Sequence, residues 1–126
     1  MKVAISSSGN DQSAQVDPRF GRCQYFIVID TDSGETKPVA NAAQSAGGGA
    51  GIQAAQTVAD YDVETVLTGN VGPNAHQALQ AANITVVTGV SGTVSEALKD
   101  YLDGKYKATE GPTVEPHFGM SGRKGG

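Results

Sequence analysis

Cys23 and His76 are the side chains whose chemistry stands out in this chain of 126 residues. Cys23 is the single cysteine, so no intramolecular disulfide forms. A thiolate at this position would bind soft metals or iron–sulfur species, whereas a neutral thiol is a small hydrophobe. Arg19 and Arg22 lie beside it in the run Asp17-Pro18-Arg19-Phe20-Gly21-Arg22-Cys23. Turned toward the sulfur, they would favour its thiolate or attract an anionic cluster. One cysteine is nevertheless far from a four-thiolate cluster pattern. Inert burial, ligation and redox chemistry therefore all stay open for Cys23. His76 follows Gly72-Pro73-Asn74-Ala75 near the start of a predicted helix. Its imidazole could ligate metal through either nitrogen, or simply face solvent. Together Cys23 and His76 are the candidate metal ligands.

A second soft-donor pair, His117 and Met120, sits in His117-Phe118-Gly119-Met120. Imidazole and thioether could engage a metal if the tail folded over it. The plain alternative is an unligated tail, with Phe118 a possible apolar anchor. Glycine supplies a more general chemistry. Gly47 to Gly51 and Gly69 to Gly72 precede predicted helices, where such runs turn the chain and expose backbone N–H groups to an anion. Neither run ends in the Gly-Lys-Ser/Thr of a phosphate-binding loop, so nucleotide binding is a weaker reading. Asp11, Asp17 and Asp30 form no constrained carboxylate pair. The serines lack a nucleophile elbow and a base. No catalytic residue emerges, and the expectation is a protein that is not an enzyme.

Composition narrows the partners. Nine basic against thirteen acidic residues give a net charge of −4, which argues against broad binding to nucleic acid or anionic lipid. A local anion site is still compatible with that total. No apolar stretch reaches the length of a membrane span, and the apolar run Val3-Ala4-Ile5 is too short for a signal peptide. With one cysteine, the expected compartment is the reducing cytoplasm.

The elements that must position these residues follow from apolar patterning. Lys2 to Ser6 reads as a first strand. Tyr25 to Thr31 and Glu35 to Val39 read as a hairpin about Asp32-Ser33-Gly34. Ile52 to Tyr61 is a helix with Ile52, Ala55 and Ala59 on its apolar face. Val63 to Thr68 and Ile84 to Thr88 read as buried parallel strands. Pro73 opens a helix with Ala75, Ala78, Leu79 and Ala82 inward. Thr93-Val94-Ser95-Glu96 is a capping box for a third helix, carrying Val94, Ala97, Leu98 and Tyr101. The pattern fails from Thr109, which predicts a folded domain over 1–108 and a Gly/Pro-rich, mobile tail over 109–126. The element order makes this an α/β sandwich with an antiparallel hairpin edge.

Several fragments, in order and spacing, resemble a known family. They are Val3-Ala4-Ile5-Ser6-Ser7, Val16 through Phe26, Gly48-Gly49-Ala50-Gly51-Ile52, Gly69 through Ala75, and Gly92 through Ala97. Over Met1 to about Lys107 the chain is similar to the nitrogenase iron–molybdenum-cofactor biosynthesis domain of the NifX and NifB C-terminal type. The resemblance implies a ribonuclease-H-like α/β fold with a mixed five-stranded sheet and helices on both faces, without implying nuclease activity. It further implies carriage of an iron–sulfur or molybdenum–iron–sulfur cluster or its precursor, exchanged with a cluster donor or acceptor protein. Arg19, Phe20, Gly21 and Cys23 then fall in the ligand-loop region. Gly72, Pro73 and Asn74 fall in the helix-start loop, with His76 close behind. The cysteine-rich radical-enzyme segment of longer relatives is not found in this sequence. A non-metallic interaction or regulatory protein with the same fold is the alternative.

Overall fold

The computed structural model describes residues 1–45, 49–109 and 111. Its elements run β1 (Lys2–Ser7), β2 (Tyr25–Asp30), β3 (Thr36–Ala40), α1 (Ala50–Ala59), β4 (Thr65–Leu67), α2 (Pro73–Ala81), β5 (Thr85–Val87) and α3 (Val94–Leu102). They form one five-stranded sheet in the order β3-β2-β1-β4-β5. The β1–β2 and β2–β3 pairs are antiparallel, while β1–β4 and β4–β5 are parallel. This is the mixed sheet that the resemblance implies.

Period-two alternation decides the layering. Ala4, Phe26, Val28, Val66 and Val86 face one side, where Ala54 and Val58 of α1 and Leu79 of α2 pack on them. Val3, Ile5, Ile27, Ile29, Leu67 and Val87 face the other, under Val94 and Ala97 of α3. Each fully buried aliphatic or aromatic side chain contributes roughly 1.5–3 kcal/mol. Such alternation also fixes register, because a slip of one residue would turn every inward side chain out. The hairpin turns at Gly34, whose φ of +82° needs glycine. Pro38 lies in β3 at the sheet edge, where a missing N–H does little harm.

Helix α3 is stopped and started as its sequence dictates. Glu96 N–H donates to Thr93 Oγ1 at 3.1 Å, and Thr93 N–H donates to Glu96 Oε1 at 3.0 Å. The start of α1 differs from the expected one. It begins at Ala50, two residues before Ile52, with Gly49 in the left-handed region at φ +71°. Its buried face is Ala50, Ala54, Ala55 and Val58, and Ile52 is exposed. Ile52 lies about 200° round the helix from Ala54, and the small residues take the inward position because α2 approaches there. In α2, Ala75 and Leu79 are buried as expected, but Ala82 is exposed and His76 is inside.

Thr109 closes the described chain against the outer edge of β5. Its N–H donates to Val86 O at 2.6 Å, and its Oγ1 accepts from Thr88 N–H at 3.0 Å. The rest of the expected tail, except Gly111, lies outside the described residues, including His117, Phe118 and Met120; so do Gly47 and Gly48. Among the described residues, no helix is long and apolar enough to cross a membrane.

Candidate functional site

A pocket of about 360 Å³ opens where three segments converge: the 3₁₀ turn Phe20–Arg22, the start of α1 and the start of α2. Small residues make that convergence possible. A Cβ on Gly51 would stand 2.9 Å from Ala75 Cβ, so α1 and α2 meet closely only because position 51 has none. A Cβ on Gly21 would come within 3.1 Å of Gly51 N, so the turn is laid onto α1 in the same way. Gly69 is tighter still, with Pro18 Cα only 2.6 Å from its would-be Cβ. That contact is sealed by backbone bonds: Asn70 N–H donates to Pro18 O at 2.7 Å, and Phe20 N–H to Asn70 O at 3.4 Å. The loop after β1 and the loop after β4 are therefore one wall.

The lining is electropositive. Arg19 and Arg22 stand at its edge, with Asn70 and Asn74 as neutral polar neighbours, and among the described residues no carboxylate lines it. Gly72, Pro73, Asn74 and Ala75 bring the start of α2, and Ala50 with Gly51 the start of α1. Neither helix start has a side-chain cap, in contrast to the full box on α3. Uncapped first-turn N–H groups carry the positive end of the helix dipole, and here two such ends share one pocket. Phe20 forms part of the floor, its ring buried against Phe26 at 5.2 Å between centroids.

Arg19 is fixed from behind. Asp17, buried, accepts from Arg19 Nε and Nη2 at 3.3 Å each. Hydrogen bonding to Asp17, and then its charge, hold the Arg19 guanidinium above its ordinary pKa.

Of the eight residues expected at the site, Arg19, Phe20, Gly21, Gly72, Pro73 and Asn74 line this pocket. Cys23 and His76 do not. Cys23 is fully buried, its thiol donating to Phe20 O at 3.4 Å. Asn41 Nδ2 bonds Cys23 O at 2.8 Å and approaches Sγ at 3.7 Å. Burial pushes the thiol pKa up to about 12, against the weaker downward pull of neighbouring donors, so the sulfur is a neutral hydrophobe near neutral pH. Arg19 turns to Asp17 and not to the sulfur, so the condition under which it would favour a thiolate is not met. His76 is also buried, and it lines a separate cleft with Gln80, Asn83, Thr85 and Thr109. The fold thus does not bring the expected Cys23–His76 pair to one pocket. Among the described residues, no three or more His, Cys, Asp or Glu side chains gather to hold a metal ion.

Sequence reasoning missed Asn41 and Asp17. Asn41 is buried and bonds Gly21 O at 3.2 Å as well as Cys23 O, which staples the turn below the pocket. Nothing local in Ala40-Asn41-Ala42 signals that role, because its partners lie some twenty residues earlier in the chain. Asp17 did stand in a motif, where an Asp two residues before an Arg permits just this turn.

The chain is thus a small mixed α/β protein in which two helix starts and two arginines meet at one pocket. The chain belongs to the dinitrogenase iron–molybdenum cofactor family, whose model matches residues 1–104. It is 42% identical to the orange protein of Desulfovibrio gigas in its apo form, with a TM-score of 0.86 over 89% of this chain and 95% of that one. A Thermotoga protein given the NifB name is 38% identical, with a TM-score of 0.76 over 85% of this chain and 91% of that one. An uncharacterized protein of Methanocaldococcus jannaschii is 28% identical over 113 residues, which is 87% of this chain and 92% of the relative.

Proposed function

We propose that this protein is a non-catalytic carrier of an anionic metal–sulfur cluster, iron–sulfur or molybdenum–iron–sulfur, or of its precursor. One observation carries the reading: two helix starts without side-chain caps and two arginines face a single pocket that, among the described residues, no carboxylate lines. Family membership supports a metal–sulfur cluster over a phosphate, since both would satisfy the same electrostatics. The cargo is held chiefly by charge and by N–H donors from Arg19, Arg22, Gly51, Asn74 and Ala75. Cys23 supports the floor rather than ligating, and His76 stands outside the pocket. Carriage follows from this chemistry. A cluster held without a protein thiolate leaves for an acceptor protein with no metal–sulfur bond to the carrier to break.

The test is anaerobic titration of the purified protein with tetrathiomolybdate and with a soluble iron–sulfide cluster. Retained metal is measured by elemental analysis, and the bound species by visible absorption. Replacing both Arg19 and Arg22 with glutamine removes two charge-assisted donors and lowers affinity by roughly 10-fold or more per arginine. Uptake unchanged in that double variant, or no uptake of either probe by the wild type, overturns the proposal.

A further inference from the structure

Arg19 cannot hold its place at the pocket by packing, since its side chain is 66% exposed. Its position is set from Asp17, whose side chain is 7% exposed and therefore costly to bury without partners. Oδ1 of Asp17 accepts from the Arg19 backbone N–H at 2.9 Å and from Nε at 3.3 Å, while Oδ2 accepts from Nη2 at 3.3 Å. Both carboxylate oxygens thus grip one edge of the guanidinium. Of its five N–H donors, two are used, and three are left for the pocket. Asp17 itself is pinned to the sheet. Its N–H donates to Ser6 O at 2.9 Å, and its carbonyl accepts from Ser6 Oγ at 2.6 Å. Ser6 Oγ also lies 2.8 Å from Thr68 Oγ1, at the end of β4. The chain of contacts therefore runs from the ends of two central strands, through a buried carboxylate, to an exposed cation.

We infer that Asp17 is a positioning residue for cargo recognition, holding the Arg19 guanidinium at a fixed angle over the pocket so that its remaining donors meet the anion together. The inference rests on the anion-carrier reading of the pocket, and its sign separates it from simple electrostatics. Removing a negative charge beside an anion site should, by charge alone, tighten binding. Removing a positioning carboxylate should weaken it, because the freed arginine must be ordered again on binding.

Asp17→Asn is the suitable change. The asparagine oxygen still accepts from the Arg19 backbone N–H, so the turn persists, while the two-pronged ionic grip is lost. With tetrathiomolybdate as probe, Asp17→Asn should bind about tenfold more weakly than wild type. In an Arg19→Gln background the same change should have less than about a twofold effect, since Asp17 acts through Arg19. Equal or tighter binding by Asp17→Asn overturns the inference, as does a loss that persists undiminished without Arg19. A second measurement needs no cargo. Side-chain NMR of the wild type should show a distinct, slowly exchanging Arg19 Nε–H resonance that Asp17→Asn abolishes. Its absence from the wild type overturns the clamp whatever the titration shows. A wild type that shows the resonance but retains no thiomolybdate instead overturns the carrier reading.

Discussion

Replacing Cys23 with alanine distinguishes a ligand from a floor residue. The thiol is fully buried and its pKa is pushed up to about 12, from 9.0 for an unperturbed thiol. Three pH units suppress the thiolate population about 1000-fold at pH 8, before any steric shielding is considered. Iodoacetamide at that pH should therefore alkylate the native protein at least about 1000-fold more slowly than the urea-unfolded chain, read by mass spectrometry over time. The same shift makes stability depend on pH in a defined direction. Between pH 9 and 12 the unfolded chain loses the thiol proton while the native protein keeps it, so stability falls as pH rises through that window. The slope is up to about 1.4 kcal/mol per pH unit, and it should be missing from Cys23→Ala. Near neutral pH that variant loses the packing of one sulfur atom and its weak hydrogen bonds to Phe20 O and Asn41, together on the order of 1–2 kcal/mol. Its uptake of tetrathiomolybdate should match the wild type. Native alkylation at the rate of the unfolded chain, or a Cys23→Ala protein that folds but retains no metal, would refute the reasoning.

Two further substitutions probe the frame of the pocket and a place far from it. Gly69→Ala drives a Cβ to 2.6 Å from Pro18 Cα, so the two loops must part; it should cost about 2 kcal/mol or more in chemical denaturation and reduce thiomolybdate uptake with it. Thr93→Ala removes the α3 cap and should cost about 1 kcal/mol while leaving uptake unchanged, so an uptake defect there would mean the two faces of the sheet are coupled.

The strands were legible because short apolar and β-branched runs bounded by turn residues are a local property of the chain. Which residues share a face was set only by pairing: the β1–β2 register puts Ala4 opposite Val28 and Ile5 opposite Ile27. The α3 cap was equally local, since Thr93 and Glu96 are three residues apart. The glycine runs pointed to helix starts, and Gly51 and Gly72 do line the pocket. What could not be read is which way long side chains turn once segments meet. Arg19 is four residues from Cys23 in sequence, yet it turns to Asp17 and leaves the thiol neutral. His76 was placed correctly in the first turns of α2, but side-chain direction on a helix changes by about 100° per residue. That rotation sends Ala75 to the pocket and His76 to the cleft beside β5.

Net charge and local charge act at different ranges in this protein, and the difference bears on what the pocket selects. The chain as a whole carries −4, while among the described residues the pocket wall carries two arginines and no carboxylate. At physiological ionic strength the field of distant acids is screened within about 8 Å, so an anion seated in the pocket would feel mainly the helix starts, the two arginines and the Asp17 carboxylate paired with Arg19. An extended polyanion such as a nucleic acid would also meet the net negative charge of the rest of the chain, which would offset its gain at one pocket. A compact anion meets only the favourable part. Each helix start favours a negative charge by about 0.3–1 kcal/mol, and an arginine hydrogen bond to it by about 1.5–3 kcal/mol. These terms grow with the charge on the ligand, so one small monovalent anion gains little while a dense polyanionic cluster gains from all of them at once. The glycines at 21 and 51 are what permit this, because a side chain at 51 would part the two helix starts and one at 21 would lift the turn bearing the arginines off α1.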